Sequence, residues 1–392
     1  MSTYRGFFQG QSNMLPTSIS QVLEAFCKLV AGLSFAIIVL RVTKNYSLAA
    51  AGAILGVTLS CLVGSIYLKT RFHKAYKNLP QTGTPEGSTG TIAKNLLSIA
   101  IPITIGAAGL QLLTVLETGV YMGNLQEMFP SDVVNVQKGI YNFAQKVFNM
   151  PCAFITPVTI SIIPAITALL TTGNRREAKT TAESSARVTA LIAMPCAIGL
   201  AVLAEPVMAL LGGYSGEKLV LATNLMRVLG ICIIFNATVL LTNAIMQANG
   251  HAVLPVINMF AGGLIKLVAV LILTRNPYIG ILGTPIGSLL CYISITVLNL
   301  IVMKSVLKKD APAIAKNMLR GLLSAAAMGV VTYGCWYGLK CLGIGSRIIL
   351  CGGPIAVGAA VYLICAIKLR AITKEDCLLL PKGDKIAKLL HL

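Results

Sequence analysis

The sequence predicts an all-α membrane protein, a polytopic bundle of about ten transmembrane helices. Of its 392 residues, 56% are hydrophobic and 11% are charged, whereas a soluble globular domain carries about 25% charged residues. About ten apolar stretches reach the length of roughly 20 residues that a helix needs to span a bilayer. Backbone groups in lipid must bond within their own segment, so these stretches are predicted to be helices rather than strands.

The predicted spans run along the whole chain and are separated by more polar connections. They cover residues 17–40, 47–68, 95–116, 141–169, 186–204, 221–246, 253–274, 280–303, 319–339 and 347–367. Several contain glycine and proline, which are tolerated in transport helices that kink and pack closely.

The basic residues indicate orientation rather than nucleic-acid binding. The net charge is +19, but the lysines and arginines lie between apolar stretches and form no dense run or stripe. With the N-terminus in the cytoplasm, most of the 32 lysines and arginines fall in cytoplasmic segments. This asymmetry predicts that both termini are cytoplasmic and that the number of helices is even.

No pattern typical of an enzyme or a metal site is present. The eleven cysteines are scattered without a C-x-x-C pair, and the three histidines lie in loops or the tail, so zinc and disulfide frameworks are not predicted. Nucleophile, phosphate-loop and metalloprotease motifs do not occur. We therefore expect no catalytic residue, no cofactor and no metal.

An internal repeat divides the chain. Gln9 and Lys28-Leu29-Val30-Ala31 recur as Gln247 and Lys266-Leu267-Val268-Ala269, and Gly52 and Gly56 recur as Gly283 and Gly287. The repeat pairs span one with span seven, so six spans make one unit. The polar stretch 69–94 is typical of a linker between two bundles.

Three regions follow from this division. Residues 1–91 would form a partial N-terminal lobe of two helices with its cytoplasmic linker, residues 92–305 a six-helix lobe, and residues 306–392 two extra helices with a basic tail. The second copy has four spans before its repeat element and the first has none, so we expect about four helices to precede Met1. A natural ten-helix protein with chance similarity is the alternative.

Charges inside the spans are the candidate functional residues, because each costs about 2.5–3.5 kcal/mol at a helix centre and tends to face a cavity or a partner. Lys146 would line a cavity or snorkel to the outer interface. Glu24 and Lys28 are four apart and can pair on one helix face, as structural glue or along a substrate or ion path. Lys266, the repeat-mate of Lys28, would line a cavity or pair with a carboxylate not identifiable from the sequence.

Other polar and proline positions carry weaker signals. Glu117 would bind a coupling cation or proton, or hydrate at the interface. Three prolines about seven residues apart lie near one helix face and would act as hinges or as static kinks: Pro151, Pro157 and Pro164. Amides in the sixth span are expected to hydrogen-bond between helices: Asn236, Asn243 and Gln247.

Six stretches carry a resemblance to known proteins: RGFFQG at 5–10, MLPT at 14–17, SQVLE at 20–24, GIYNFAQKVFNMP at 139–151, SIIPAI at 161–166 and KEDCLLLPKGDK at 374–385. They resemble the MOP flippase superfamily in its polysaccharide-transporter branch, of the stage V sporulation protein B type and the MurJ-like lipid II flippase type. Where the family usually has Gln and Arg after Glu24, this chain has Ala25 and Lys28, so the charge persists but the guanidinium fork is lost.

The resemblance implies a MOP/MATE-like fold, with this chain matching helices five to fourteen of fourteen. It implies a flippase of the bacterial cytoplasmic membrane that moves a polyprenyl-diphosphate saccharide or peptidoglycan precursor by alternating access. Lys146 would line the central cationic cavity and meet the diphosphate, while the prenyl tail would lie in a groove near the last two spans.

The partners implied are the lipid-linked saccharide, membrane lipid and, as further candidates, cell-wall synthases. No nucleic acid and no covalent step are expected, so we do not predict an enzyme. Two alternatives remain open: a multidrug or cation antiporter of the related MATE branch, and a non-transporting scaffold for envelope or sporulation machinery.

Overall fold

A computed structural model describes residues 1–10, 15–77, 88–343 and 346–369 of the chain. Parts of three predicted features lie outside these residues. They are the middle of the polar connection at 78–87, Met14 of the second motif, and the tail motif at 374–385.

The described part consists of helices joined by short connections. They are α1 (Ser2–Gly10), α2 (Leu15–Thr43), α3 (Tyr46–Lys77), α4 (Thr89–Met128), α5 (Ser131–Thr171), α6 (Arg175–Val202), α7 (Ala204–Leu211), α8 (Gly216–Ala248), α9 (Val253–Leu273), α10 (Gly283–Leu307), α11 (Ile314–Cys341) and α12 (Arg347–Lys368). Single 3₁₀ turns, Gly280–Leu282 and Lys308–Asp310, flank α10.

The predicted all-α membrane bundle is confirmed. Among the described residues, nine helical segments are long and apolar enough to cross a membrane. Each of the nine contains or closely matches one predicted span. The remaining predicted stretch, 95–116, lies within α4.

Two helices were not expected from the sequence. The helix α1 has nine residues and is not apolar on average. The helix α7 has eight residues and is separated from α6 by Leu203. Both are shorter than a bilayer span, so a search for long apolar stretches does not detect them.

The chain divides into two compact units, unit 1 over Met1–Asn95 and unit 2 over Leu96–Leu392. The three-part division predicted at residues 92 and 306, and the helices predicted to precede Met1, stay predictions.

Unit 1 is built on the antiparallel hairpin of α2 and α3. The turn between them is held by Asn45, whose Oδ1 accepts a hydrogen bond from the backbone N–H of Ser47 at 2.9 Å. Small residues four apart form the buried face of α3: Gly52, Gly56, Ser60 and Gly64. This small-residue spacing lets two membrane helices approach closely where lipid supplies no hydrophobic drive.

The crossing point of this hairpin is at Gly56. A Cβ atom at Gly56 would overlap the backbone of Gly32, and one at Gly52 would lie 3.1 Å from the carbonyl oxygen of Phe35. The two backbones are therefore in direct contact at a position where only glycine fits.

The repeat-mate hairpin, α9 and α10 in unit 2, meets in the same register. A Cβ at Gly287 would lie 2.7 Å from Val270 Cγ2 and 3.3 Å from the carbonyl oxygen of Lys266. Val270 follows Lys266 by four residues, as Gly32 follows Lys28. The two sequence copies thus form equivalent hairpins, each with its lysine one turn from the glycine contact.

Unit 2 is organised around α8, which packs against α5, α6, α7, α9 and α10. Its inward side chains are among the most buried in the chain, including Leu225, Met226 and Ile233. A helix that is apolar on most of its circumference is expected to occupy a bundle centre.

The last two helices join this bundle through α6, against which α11 packs. Two side-chain contacts hold the hairpin of α11 and α12 to α6 and α7. Tyr362 Oη donates to the carbonyl oxygen of Leu191 at 3.1 Å, and Lys340 Nζ lies 2.7 Å from Glu205 Oε1. The helices α11 and α12 are therefore part of unit 2.

We expect Gly56→Ala to destabilise the protein, because its new methyl group has no space against Gly32. Overpacking of this kind costs about 1–3 kcal/mol, so the thermal unfolding midpoint of the purified protein should fall. The matched control is Gly334→Ala in α11, where a Cβ meets nothing within 4 Å. Equal midpoints for the two variants would contradict the direct backbone contact.

Candidate functional site

The most deeply placed charges in unit 2 form one ion pair. Lys266 Nζ on α9 lies 2.7 Å from Glu117 Oε2 on α4, and their side chains are 21% and 7% exposed. Two charges that would each be costly in an apolar span neutralise one another here. The carboxylate partner of Lys266, which could not be identified from the sequence, is thus Glu117.

Hydroxyl and aromatic groups surround the pair. Tyr141 of α5 is buried, accepts a hydrogen bond from Gln145 Nε2 at 2.8 Å and lies near Thr284 and Ser288 on α10. Tyr121 of α4 packs edge-on against Tyr141, with ring centroids 6.2 Å apart. Four helices therefore contribute to one polar centre in the bundle.

A second contact fixes α4 beside α9 one to two turns from the ion pair. Asn124 Nδ2 donates to Thr274 Oγ1 at 2.8 Å and to the carbonyl oxygen of Leu271 at 3.2 Å. The distance between Glu117 and Lys266 is thus held by a hydrogen-bonded neighbour, not by the charges alone.

Lys146 lies on a different, open face of α5. It is exposed, and so are Asn142 and Asn149, which are four residues before it and three after. This spacing places all three on one helix face. The structure thus leaves Lys146 on a polar stripe of a predicted span, which we call the α5 stripe (Asn142, Lys146, Asn149).

The prediction that Glu24 pairs with Lys28 is wrong. Glu24 Oε2 instead lies 2.9 Å from Arg5 Nη2, and Arg5 Nε donates to Ser20 Oγ at 3.1 Å. Cys61 Sγ lies 3.7 Å from the other carboxylate oxygen of Glu24. Arg5 reaches Glu24 because α1 packs back onto α2, whereas Lys28 is exposed.

The three prolines lie inside one continuous helix. All of them are within α5; Pro151 is buried, while Pro157 and Pro164 are exposed. Their role as hinges stays a prediction.

A buried amide network joins α8, α9 and α10. Asn258 Nδ2 donates to Asn299 Oδ1 at 2.8 Å, and Asn299 Nδ2 donates to Asn243 Oδ1 at 2.8 Å and Thr242 Oγ1 at 2.9 Å. The interhelical bond expected of Asn243 is therefore confirmed. Asn236 Nδ2 lies 3.1 Å from Cys152 Sγ, whereas Gln247 is exposed.

Sequence reasoning missed Asn258 and Asn299. Their signal was available, because each is an asparagine within a predicted span, where an amide needs a partner.

An apolar groove of about 750 Å³ opens in unit 2 between α5, α6, α7, α11 and α12. We call it the α12 groove; its walls include Phe154, Pro195, Leu203, Ile355 and Leu363. Its position agrees with the groove that the sequence resemblance implied near the last two spans.

Comparisons with known proteins identify relatives along the chain. The family described as polysaccharide biosynthesis protein matches residues 1–170, and the MatE family matches residues 138–272. Three Bacillus subtilis proteins are similar over nearly the whole chain. They are the uncharacterised membrane protein YabM (26% identical, 99% of this chain, 72% of the relative), the lipid II flippase MurJ (25%, 95%, 71%) and stage V sporulation protein B (24%, 97%, 72%).

A solved structure shows the same fold. The lipid II flippase MurJ in its inward closed conformation matches with a TM-score of 0.59 and 16% identity, over 87% of this chain. This chain spans 66% of the length of that structure. The resemblance to the polysaccharide-biosynthesis and MatE families is confirmed, and the chain has a MurJ-like fold.

We expect Glu117→Gln and Lys266→Met each to destabilise unit 2, because each leaves the opposite charge buried and unpaired. A single loss of this kind costs about 3 kcal/mol, and the double variant should lose less than the sum of the two. Unfolding midpoints of the three purified variants form a double-mutant cycle. Strictly additive losses would mean that the two side chains do not interact in the folded protein.

Proposed function

We propose that this protein translocates a lipid-linked, diphosphate-bearing saccharide across the bacterial cytoplasmic membrane by alternating access. The observation that carries the proposal is the α5 stripe, an exposed row of polar side chains with a lysine at its centre on a membrane-spanning helix.

The α5 stripe is not suited to contact with lipid. Snorkelling to the interface accounts for a lone lysine, but not for an asparagine on the same face to either side of it. Polar residues within spans are expected to face the bundle interior or a water-filled cavity. Lys146 would then meet the diphosphate there, since an ammonium is a compact point charge suited to phosphate.

Lys266 would add a second positive group to this cavity. About a fifth of its side chain is exposed, whereas that of Glu117 is buried. An incoming diphosphate could share the ammonium with Glu117 or displace the carboxylate from it. If Glu117 binds a coupling ion, Lys266 must first move away, because its ammonium already forms an ion pair with the Glu117 carboxylate.

In unit 1, Lys28 offers an exposed ammonium within a predicted span. It is the candidate substrate-binding cation of unit 1. Glu24 is neutralised by Arg5, so its carboxylate would not repel the substrate strongly.

The α12 groove is suited to the prenyl chain. Its apolar walls can hold a flexible hydrocarbon through van der Waals contact, without orienting it by hydrogen bonds. The headgroup would cross the membrane in the polar cavity, while the prenyl tail would stay in the α12 groove at the edge of the bundle.

The main alternative is a cation or drug antiporter of the MATE branch. Both acids identified within spans are already bound to a cation, Glu24 to Arg5 and Glu117 to Lys266. A site for a cationic drug needs an acid free to bind it, so the charges favour an anionic substrate. A scaffold role, with cell-wall synthases as partners, would leave the α5 stripe without a purpose.

The orientation with both termini in the cytoplasm belongs to this proposal. It rests on the distribution of lysine and arginine between the connections.

Lys146→Gln should slow translocation of a fluorescent polyprenyl-diphosphate saccharide in vesicles by roughly tenfold, the effect of losing one charge-assisted contact. Accessibility of the fluorophore to a membrane-impermeant quencher measures the rate. The control is Lys218→Gln, which removes the same charge from the exposed first turn of α8. An unchanged rate removes Lys146 from the mechanism, and ethidium efflux without saccharide translocation would favour the antiporter.

Ala359→Trp should also slow translocation, because its side chain fills the α12 groove. The adjacent Ala360→Trp adds the same bulk on an exposed position outside the groove walls and should leave the rate unchanged. Comparison of the two rates in the same quencher assay tests the groove. Equal rates would exclude it as the path of the prenyl chain.

A further inference from the structure

A second cavity lies at the end of unit 2 that is predicted to be cytoplasmic. It has a volume of about 370 Å³ and is enclosed by the C-terminal ends of α5, α8 and α10 and by the first turns of α6. Its apolar part includes Ile166, Ile245 and Leu307, and its polar part includes Arg175 and Asp310. We call it the α6 cleft; it is distinct from the α5 stripe and the α12 groove.

Positive groups dominate the polar side of the α6 cleft. Arg175, Lys179 and His251 line it, against the single carboxylate of Asp310. Asn249 lies among them as a further polar lining residue. The lining thus combines up to three cationic side chains and an amide around one acid, which is a composition suited to an anion larger than chloride.

The Arg175–Asp310 contact is weak in geometry. It joins Nη1 to Oδ2 at 3.4 Å, and the side chain of Arg175 is 75% exposed. Guanidinium groups bind phosphate best through two parallel hydrogen bonds. A phosphate in the cleft could therefore replace the Asp310 carboxylate on Arg175 with a better geometry.

The start of α6 adds to the positive field. This helix has 28 residues, and Asn174 before it makes no side-chain capping hydrogen bond. The N-terminal end of a helix carries a partial positive charge and backbone N–H groups suited to phosphate. Arg175 and Ala178 of this first turn line the cleft.

The connection between α10 and α11 and the first turn of α11 are held to α6 by four contacts, of which Asp310 makes only the first. Lys179 Nζ donates to the carbonyl oxygen of Lys309 at 3.0 Å, and Glu183 Oε1 accepts from the backbone N–H of Ala313 at 3.0 Å. Arg187 Nη1 lies 3.4 Å from Asn317 Oδ1. Because the donors and acceptors on α6 recur every four residues, the connection remains attached when Asp310 is released.

We propose that the α6 cleft binds a phosphate-bearing anion, the headgroup of an anionic lipid or a free diphosphate, which displaces Asp310 from Arg175. Basic pockets between membrane helices on the cytoplasmic side are suited to phosphorylated headgroups, since that leaflet is rich in anionic lipid. The cleft lies apart from the transport residues, so this proposal shares only the predicted orientation with the proposed function.

The test measures binding of inorganic pyrophosphate to the purified chain in phosphatidylcholine nanodiscs by calorimetry. Arg175→Gln combined with Lys179→Gln should weaken binding about tenfold or more, as expected for the loss of charged hydrogen bonds. Asp310→Asn should strengthen it several-fold, because it removes the competing carboxylate. The control is Arg176→Gln, the same change at an exposed neighbour that does not line the cleft, which should leave binding unchanged.

The outcomes separate a binding site from a structural contact. A purely structural Arg175–Asp310 pair would lower the unfolding midpoint in Asp310→Asn and leave pyrophosphate binding unchanged or weaker. That result would overturn the proposal, as would the absence of pyrophosphate binding in the unsubstituted chain, or equal binding in the Arg175/Lys179 double variant.

A second arm identifies the source of the phosphate. Nanodiscs that also contain phosphatidylglycerol should weaken apparent pyrophosphate binding if the lipid headgroup occupies the cleft, and this competition should vanish in the Arg175/Lys179 variant. Unchanged affinity in those nanodiscs would support a free anion as the ligand.

Discussion

A charged or amide side chain inside an apolar span must find a partner or face water, and the arrangement of this protein follows from that constraint. Lys266 and Glu117 are partners at a distance of 2.7 Å, and Arg5 is the partner of Glu24. Each pair joins two helices, so the charges also specify which helices are neighbours.

The same constraint gives meaning to the polar groups that remain exposed. The α5 stripe presents Lys146 between two asparagines, on a helix whose other side packs into the core of unit 2. In a membrane, such a face is expected to lie against other protein or a water-filled cavity. Unit 2 thus carries both a polar helix face and an apolar groove, and the proposed lipid-linked substrate rests on this combination.

Close packing supplies the rest of the architecture. Lipid is as apolar as the side chains, so membrane helices associate through close contact and hydrogen bonds instead of hydrophobic burial. The contact of Gly56 with Gly32 and the network around Asn299 represent these two means. The equivalent contact at Gly287 shows that the repeat seen in the sequence preserves a hairpin geometry.

The sequence by itself determined the fold class, the approximate helix bounds and the residues with an electrostatic reason to matter, because hydropathy and charge are properties of local segments. It could not assign partners. The Glu24–Lys28 pair followed from helix spacing alone, whereas Arg5 takes Glu24 through a helix too short to be predicted. Glu117 and Lys266 are far apart along the chain, and only the packing of α4 against α9 brings them into contact. Tertiary structure decided these pairings because they depend on which helices become neighbours, and hydropathy carries no information about that.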